Sequence, residues 1–146
     1  MKKVDNKEDI SIFFDKKIKL KYDIKKIIKK ILLLEKKNNY RINLIFTDDK
    51  KIKQINTDFR LKKSETDVIS FYYKEHKFCG GDIFISVDTA KRNSKEHGVD
   101  FQHEIIRLVI HGVLHALGYN HTDDFKSNEI MKKKQELYVK KFLKEN

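Results

Sequence analysis

The chain has 146 residues, of which 33 are lysine or arginine and 22 are aspartate or glutamate, so its formal net charge is +11. This length suits one domain with a buried core and excludes two ordinary domains, so we expect a single domain over residues 1–146. The lone cysteine excludes an internal disulfide and fits a reducing compartment. No apolar stretch is long enough for a membrane span or a cleavable signal, so we expect a soluble, cytoplasmic protein.

The first half of the chain alternates between strand and helix patterns. A strand is predicted over residues 10–14, and a helix with apolar residues at helical spacing is predicted from Asp23 to about Lys37. A second strand is predicted over residues 41–46, followed by a short helix that Thr47 or Asp48 can cap. The apolar face of the first helix is formed by Ile24, Ile27, Ile28, Ile31 and Leu32.

The second half begins with two strands, predicted over residues 67–73 and 82–87. Asp88 is predicted to cap a helix that stops at Gly98, and Asp100 a helix over about residues 101–117. A last helix is predicted over about residues 126–142. The order β-α-β-α-β-β-α-α-α predicts an α+β domain with a mixed four-stranded sheet and five helices.

Three histidines within eleven residues, His111, His115 and His121, are the most informative feature of the sequence. His111 and His115 are four residues apart, so on a helix both side chains project from one face and can bind one ion. The surrounding residues are almost all apolar, which predicts a helix buried nearly all round and a site inside the fold. Gly118 stands where helices often end in a left-handed residue, a turn that would bring His121 toward the same metal.

Three imidazoles that leave one position open are typical of catalytic zinc sites, whereas structural sites usually have four ligands and are rich in cysteine. We therefore expect one Zn²⁺ per chain, bound by His111, His115 and His121, and another divalent transition metal would suit the same ligands. A single histidine in such a helix is more commonly a core residue without a metal. Three of them at ligand spacing favour the metal site, which we expect on a buried helix packed against the sheet in a zincin-like arrangement.

The same histidine spacing occurs in zinc peptidases of the metzincin type. Those enzymes place a glutamate directly after the first histidine, as the general base. Here that position is Gly112, so the peptidase base is missing. A glycine inside a helix costs about 1 kcal/mol relative to alanine, which indicates close approach of a substrate or another backbone, or tight helix packing.

The segment His111–His121, HGVLHALGYNH, resembles the H-G-x-L-H-x-x-G-Y-D-H signature of the YbeY family, bacterial endoribonucleases of ribosomal RNA maturation. Three upstream segments, INTDFR (Ile55–Arg60), TDVISF (Thr66–Phe71) and GDI (Gly81–Ile83), are similar to the family's L-N-x-x-Y-R, T-D-V-L-S-F and G-D-I blocks. They also occur in the same order and at similar spacing. The resemblance covers about residues 46–131.

The resemblance implies a zinc-dependent endoribonuclease that acts in ribosomal RNA processing and small-subunit maturation. It implies that the three histidines bind the metal and that Arg60 and His111 belong to the catalytic machinery. A guanidinium such as that of Arg60 presents forked donors to phosphate oxygens. The expected partners are ribosomal RNA and the small ribosomal subunit, with no membrane and no small-molecule cofactor.

Two residues depart from the family's pattern. Asn120 stands where the family usually has aspartate, so the charge of a group that could orient a metal ligand is lost. Glu65 replaces a proline that commonly precedes the Thr-Asp-Val block. We expect the first change to alter metal affinity and neither to alter the class of reaction.

Several alternatives stay open from the sequence. The nucleophile is either a water molecule activated by the metal or the ribose 2′-hydroxyl, and the general base is unassigned, with Asp123 and Asp124 as candidates. The positive net charge favours a polyanionic partner, although a lysine-rich composition alone can produce it. The other two classes of function are a zinc metallopeptidase and a non-catalytic RNA-binding or ribosome-assembly factor with a structural metal.

Overall fold

Four strands and five helices follow one another in the predicted order in the computed structural model, which describes residues 9–37, 39–59, 68–74, 79–119 and 125–144. In chain order they are β1 (Asp9–Phe14), α1 (Ile24–Leu34), β2 (Tyr40–Thr47), α2 (Asp49–Asp58), β3 (Val68–Lys74), β4 (Cys79–Ser86), α3 (Val87–His97), α4 (Phe101–Ala116) and α5 (Phe125–Lys144). None of the described helices combines the length and the hydropathy that crossing a membrane requires.

The four strands form one mixed sheet in the order β1-β2-β4-β3. The pairs β1/β2 and β2/β4 are parallel, and β3 is antiparallel to β4. The short connection between β3 and β4 suits antiparallel neighbours, whereas the parallel pairs need longer crossovers. The prediction of an α+β fold with a mixed four-stranded sheet is confirmed.

Alternate side chains of β4 divide the apolar residues between the two faces of the sheet. Ile83 and Ile85 are fully buried in the main core, together with the apolar face of α4. Phe84 belongs to a smaller cluster with Ile52 of α2 and Ile69 of β3. Helix α4 packs against β3 and β4 and is also in contact with α3 and α5, so it lies at the centre of the molecule.

Helix α1 buries the five apolar residues that its sequence spacing predicts. Its N-cap Asp23 accepts a 3.1 Å hydrogen bond from the backbone N–H of Lys26, which satisfies one of the free donors of the first turn. The helix ends at Leu34, three residues earlier than predicted. The residue that follows it, Glu35, takes part in a tertiary contact described below.

The prediction that Asp88 caps α3 is wrong. The cap is Ser86, whose hydroxyl accepts a 3.1 Å hydrogen bond from the backbone N–H of Thr89. Asp88 lies in the first turn instead, where its carboxylate accepts a 3.2 Å hydrogen bond from the backbone N–H of Asp49 and pairs with Lys16. The strand therefore leads into the helix without a loop residue, and Asp88 ties the starts of two helices together.

Candidate metal centre

Helix α4 begins where the sequence predicts, because Asp100 accepts a 3.0 Å hydrogen bond from the backbone N–H of Gln102. Between Glu104 and Leu117 every residue is buried except Arg107, His111 and His115. These three are spaced four residues apart, so they form one stripe along the helix, called here the open stripe. The helix is buried as predicted, but its histidines are half-buried and lie along its one open side.

His111 and His115 lie beside each other on this stripe. Their ring centroids are 4.6 Å apart and the planes meet at 65°. The spacing of one helical turn therefore brings two imidazoles to a common position, as the sequence predicts, and two neutral imidazoles are suitable ligands for zinc.

Gly112, between the two histidines, is in close contact with the sheet. A Cβ atom at this position would lie 2.6 Å from Cγ2 of Ile83 and 3.2 Å from Cγ2 of Val68. The carbonyl of Gly112 also accepts a 2.9 Å hydrogen bond from the hydroxyl of Ser70 on β3. The glycine is thus explained by tight packing of α4 on β3 and β4, and its position faces the sheet.

Gly118 ends α4 in the manner that the sequence predicts. It has a φ of 105°, and its N–H donates a 2.9 Å hydrogen bond to the carbonyl of His115. The N–H of Tyr119 donates to the carbonyl of Leu114 at 3.1 Å, which completes a Schellman motif. The chain therefore leaves the helix through a fixed turn immediately after the histidine pair.

Two further contacts hold the end of α4 against the sheet. The hydroxyl of Tyr40 on β2 donates a 3.0 Å hydrogen bond to the carbonyl of Ala116, which the helix itself leaves without a partner. A Cβ atom on Gly81 of β4 would lie 2.6 Å from Cβ of Ala116, so only glycine permits this approach. The GDI segment therefore contributes packing beneath the histidine pair.

Tyr119 is anchored by Glu35, the residue after α1. The carboxylate of Glu35 accepts hydrogen bonds from the hydroxyl of Tyr119 at 2.6 Å, from Nζ of Lys134 at 2.9 Å and from the hydroxyl of Tyr138. Nζ of Lys134 also lies 5.6 Å from the centre of the Tyr119 ring. Burial would raise the pKa of Glu35, but the three donors outweigh it and hold the pKa below its ordinary value.

Helix α5 also contacts the histidine pair. Nδ1 of His111 lies 2.7 Å from Oε1 of Gln135, a hydrogen-bonding distance. Gln135 also lines a groove of about 600 Å³ between α4 and α5. The groove continues the open stripe, because Arg107 belongs to both, and it carries the cations Lys140 and Lys144 beside one acid, Glu136.

Of the predicted metal ligands, the structure brings His111 and His115 together, and the other predicted site residues lie outside the described residues. Arg60 and His121 lie outside the described residues, as do Glu65, Asn120, Asp123 and Asp124. Within the described ranges, no three His, Cys, Asp or Glu side chains are grouped closely enough to hold a metal. The ligand set of His111, His115 and His121 and the role of Arg60 therefore stay predictions.

Two residues that contact the site were missed from the sequence, Glu35 and Gln135. Both reach it through tertiary contacts from helices whose local pattern gives no sign of a site. Tyr119 could have pointed to such a partner. It belongs to the signature segment, yet it is not a predicted metal ligand and does not end the helix, so it needs another reason to be there. A tyrosine at such a position indicates a hydrogen-bond partner elsewhere in the fold.

The sequence matches the family model described as Endoribonuclease YbeY over residues 4–143. It is 41% identical to a protein of Nautilia profundicola named Endoribonuclease YbeY. That alignment spans 131 residues, which are 89% of this chain and 90% of the relative. A protein of the same name from Petrotoga mobilis is 37% identical over 123 residues, 84% and 85% of the two chains. Among solved structures, the solution structure of TM1509 from Thermotoga maritima matches with a TM-score of 0.69 and 29% identity, covering 93% of this chain and 90% of that one.

Proposed function

Because the chain belongs to the YbeY endoribonuclease family, we propose that it is a metal-dependent hydrolase that cuts single-stranded RNA during ribosomal RNA processing and small-subunit maturation. The proposal that the enzyme depends on a metal is supported by the pair of histidines on the open stripe, whose ring centroids are 4.6 Å apart. The pair lies on a helix fixed by the sheet beneath it and by a Schellman turn at its end.

The proposed ligands are His111, His115 and His121, with one Zn²⁺ per chain. The donor set fits this ion, because imidazole nitrogen is a common zinc ligand and two of the three rings lie together on one side of α4. When bound, zinc would supply a Lewis acid for a phosphodiester oxygen and would lower the pKa of a water molecule toward neutrality. Another divalent transition metal would suit the same nitrogens.

The charge of the chain supports RNA as the substrate and partner. The formal net charge is +11, and the groove that continues the open stripe is lined by more cations than acids. Such an excess of positive charge attracts polyanions and increases their rate of association. We propose that the protein acts in the cytoplasm on ribosomal RNA and the small ribosomal subunit, without a membrane or a small-molecule cofactor.

Arg60 is proposed to bind the phosphate whose ester bond is cut. Its guanidinium stays charged at any relevant pH and can donate two parallel hydrogen bonds to phosphate oxygens. Such donors stabilise the charge that develops on the phosphate oxygens in the transition state. The attacking group is either water or the ribose 2′-hydroxyl. Continued cleavage of an RNA that carries a single 2′-deoxy nucleotide at the scissile position would exclude the 2′-hydroxyl.

The decisive experiment uses precursor ribosomal RNA with three proteins: the wild type, His115→Ala and Arg60→Ala. Each is depleted of metal, reconstituted with zinc and assayed by mapping the new RNA ends. We expect the wild type to bind about one zinc per chain and to cut. His115→Ala should lose both properties, and Arg60→Ala should keep the metal and lose cleavage. Full zinc content in His115→Ala contradicts the ligand assignment, and full cleavage by Arg60→Ala removes Arg60 from the mechanism.

The two other classes of function predict different results, which need a peptide-cleavage assay and a ribosomal-subunit binding assay of the same proteins. A peptidase would need a general base beside the metal, and Gly112 faces Ile83 of the sheet with no room for a side chain. Peptide cleavage that disappears in His115→Ala would nevertheless establish that activity. Binding to the small ribosomal subunit without metal-dependent cleavage would establish a non-catalytic assembly factor.

A further inference from the structure

His111 is hydrogen-bonded to a residue outside its own helix and outside the signature segment. Oε1 of Gln135, on α5, lies 2.7 Å from Nδ1 of His111. Both side chains are half-buried, so the contact is partly protected from water. A neutral amide oxygen has no proton to donate, so in this pair the ring nitrogen must be the donor.

This assignment determines which nitrogen of His111 can bind a metal. A neutral imidazole carries one proton, and if Nδ1 holds it, Nε2 has the free lone pair. A metal ligand must present such a lone pair, and histidines at metal sites commonly donate their other N–H to an oxygen acceptor. The contact therefore selects the tautomer that a metal at Nε2 requires and restricts rotation of the ring.

The position of Gln135 is itself fixed by its neighbours on α5. The preceding residue, Lys134, donates a hydrogen bond to Glu35, and Tyr138, one turn later, donates to the same carboxylate. The side chain of Glu35 is only 5% exposed, so this anchor is buried. Because α5 is held on both sides of Gln135, the backbone that carries the amide is fixed beside His111.

We propose that Gln135 is a positioning residue for the metal centre, which keeps the proton of His111 on Nδ1 and directs Nε2 toward the ion. The proposal rests on the three-histidine site of the proposed function. Loss of such an acceptor typically reduces metal affinity about 10–100-fold. The orientation of the amide group is the critical point, because an amide N–H directed at His111 would place the ring proton on Nε2 instead.

The test compares Gln135→Leu, which removes the acceptor at similar size, with Gln135→Glu, which keeps it. The matched control is Gln102→Leu. Gln102 lies on the first turn of α4, and its amide also makes tertiary hydrogen bonds, to the backbone of Lys19 and Lys21. Two quantities are measured: zinc affinity by competition with a chelator, and the tautomer of His111 in the metal-free protein from imidazole ¹⁵N chemical shifts.

We expect an Nδ1–H tautomer in the wild type and in Gln135→Glu, with zinc affinities within a few-fold of each other. Gln135→Leu should lose about 10–100-fold in affinity and shift the tautomer toward Nε2–H, while Gln102→Leu changes neither. Unchanged affinity in Gln135→Leu overturns the proposal, and so does a loss of affinity without a change of tautomer. An Nε2–H tautomer in the wild type overturns it even if the leucine variant does not fold. If the wild type binds no zinc, the proposed function fails and the role of Gln135 fails with it, whereas zinc binding by the wild type with unchanged affinity in Gln135→Leu overturns only the role of Gln135.

Discussion

Glu35 and Tyr119 are 84 positions apart in the sequence, and the carboxylate of Glu35 accepts a 2.6 Å hydrogen bond from the hydroxyl of Tyr119. Tyr119 is the last described residue before the segment that contains His121. The contact therefore connects the end of α1 to the point where the chain leaves α4. Lys134 and Tyr138 donate to the same carboxylate, so α5 is held there as well.

The first prediction concerns the stability that this contact contributes. Tyr119→Phe removes a hydrogen bond to a buried charged group, so we expect it to lower the free energy of unfolding by about 1.5–3 kcal/mol. Glu35→Gln should cost at least as much, because three donors lose a charged acceptor. Denaturant unfolding of both variants and of the double variant measures the coupling, which should be about 0.5–3 kcal/mol. Strict additivity would contradict the contact.

The second prediction concerns pH. The folded-state pKa of Glu35 is held below its unfolded value of about 4.3. The stability it contributes is therefore fully present above that value and is lost as the pH falls through the folded pKa. Unfolding free energies measured from about pH 6 down to pH 3 should fall less steeply in Glu35→Gln than in the wild type. Parallel curves would show that Glu35 has the same pKa in both states.

The third prediction concerns Gly112. Alanine in place of glycine inside a helix normally stabilises by about 1 kcal/mol. Here its Cβ would lie 2.6 Å from Cγ2 of Ile83, so we expect Gly112→Ala to destabilise by about 1–3 kcal/mol. In an Ile83→Ala background the same change should cost less, because the methyl group at 2.6 Å is gone and only Cγ2 of Val68, at 3.2 Å, remains closer than ordinary van der Waals contact. Thermal or denaturant unfolding of the four proteins checks this, and a stabilising Gly112→Ala in the wild-type background would contradict the close packing.

The fourth prediction uses two glycines that end helices in the same way. Gly118 ends α4 with φ 105° and Gly98 ends α3 with φ 66°, each in a Schellman motif. Alanine at either position should lower the unfolding free energy by about 1–2 kcal/mol, because both backbones are left-handed. Only Gly118→Ala should also weaken zinc binding, measured by chelator competition. Gly118 forms the turn between the histidine pair and the segment that contains His121, whereas Gly98 lies beyond the opposite end of α4. Equal zinc affinities in the two variants would show that the turn at Gly118 does not direct a ligand.

The sequence predicts the elements of this fold well, because their signals are local. The five buried residues of α1 follow from their spacing, and Asp100 and Gly118 mark the limits of α4. The error at α3 arose because Ser86 and Asp88 are both good capping residues and only the tertiary contacts of Asp88 decide between them. The strand order of the sheet has no local signal at all.

The candidate site also has features that local sequence predicts and features that depend on tertiary contacts. The pairing of His111 with His115 is a property of one helix and was predictable from spacing. Glu35 and Gln135 reach the site through contacts between helices that are distant in sequence, so no periodicity could indicate them. Gly112 was recognised as unusual, but whether a substrate or the sheet required it depended on the position of Ile83.

Helix α5 carries both Gln135 and the donors to Glu35, and it is synthesised after all the other described elements. The residues that α5 contacts lie far from it in sequence, since Glu35 is 99 positions from Lys134 and His111 is 24 from Gln135. These contacts therefore form only when α5 docks on the rest of the domain. A chain that ends before α5 would thus lack both the acceptor at Nδ1 of His111 and two of the donors to Glu35.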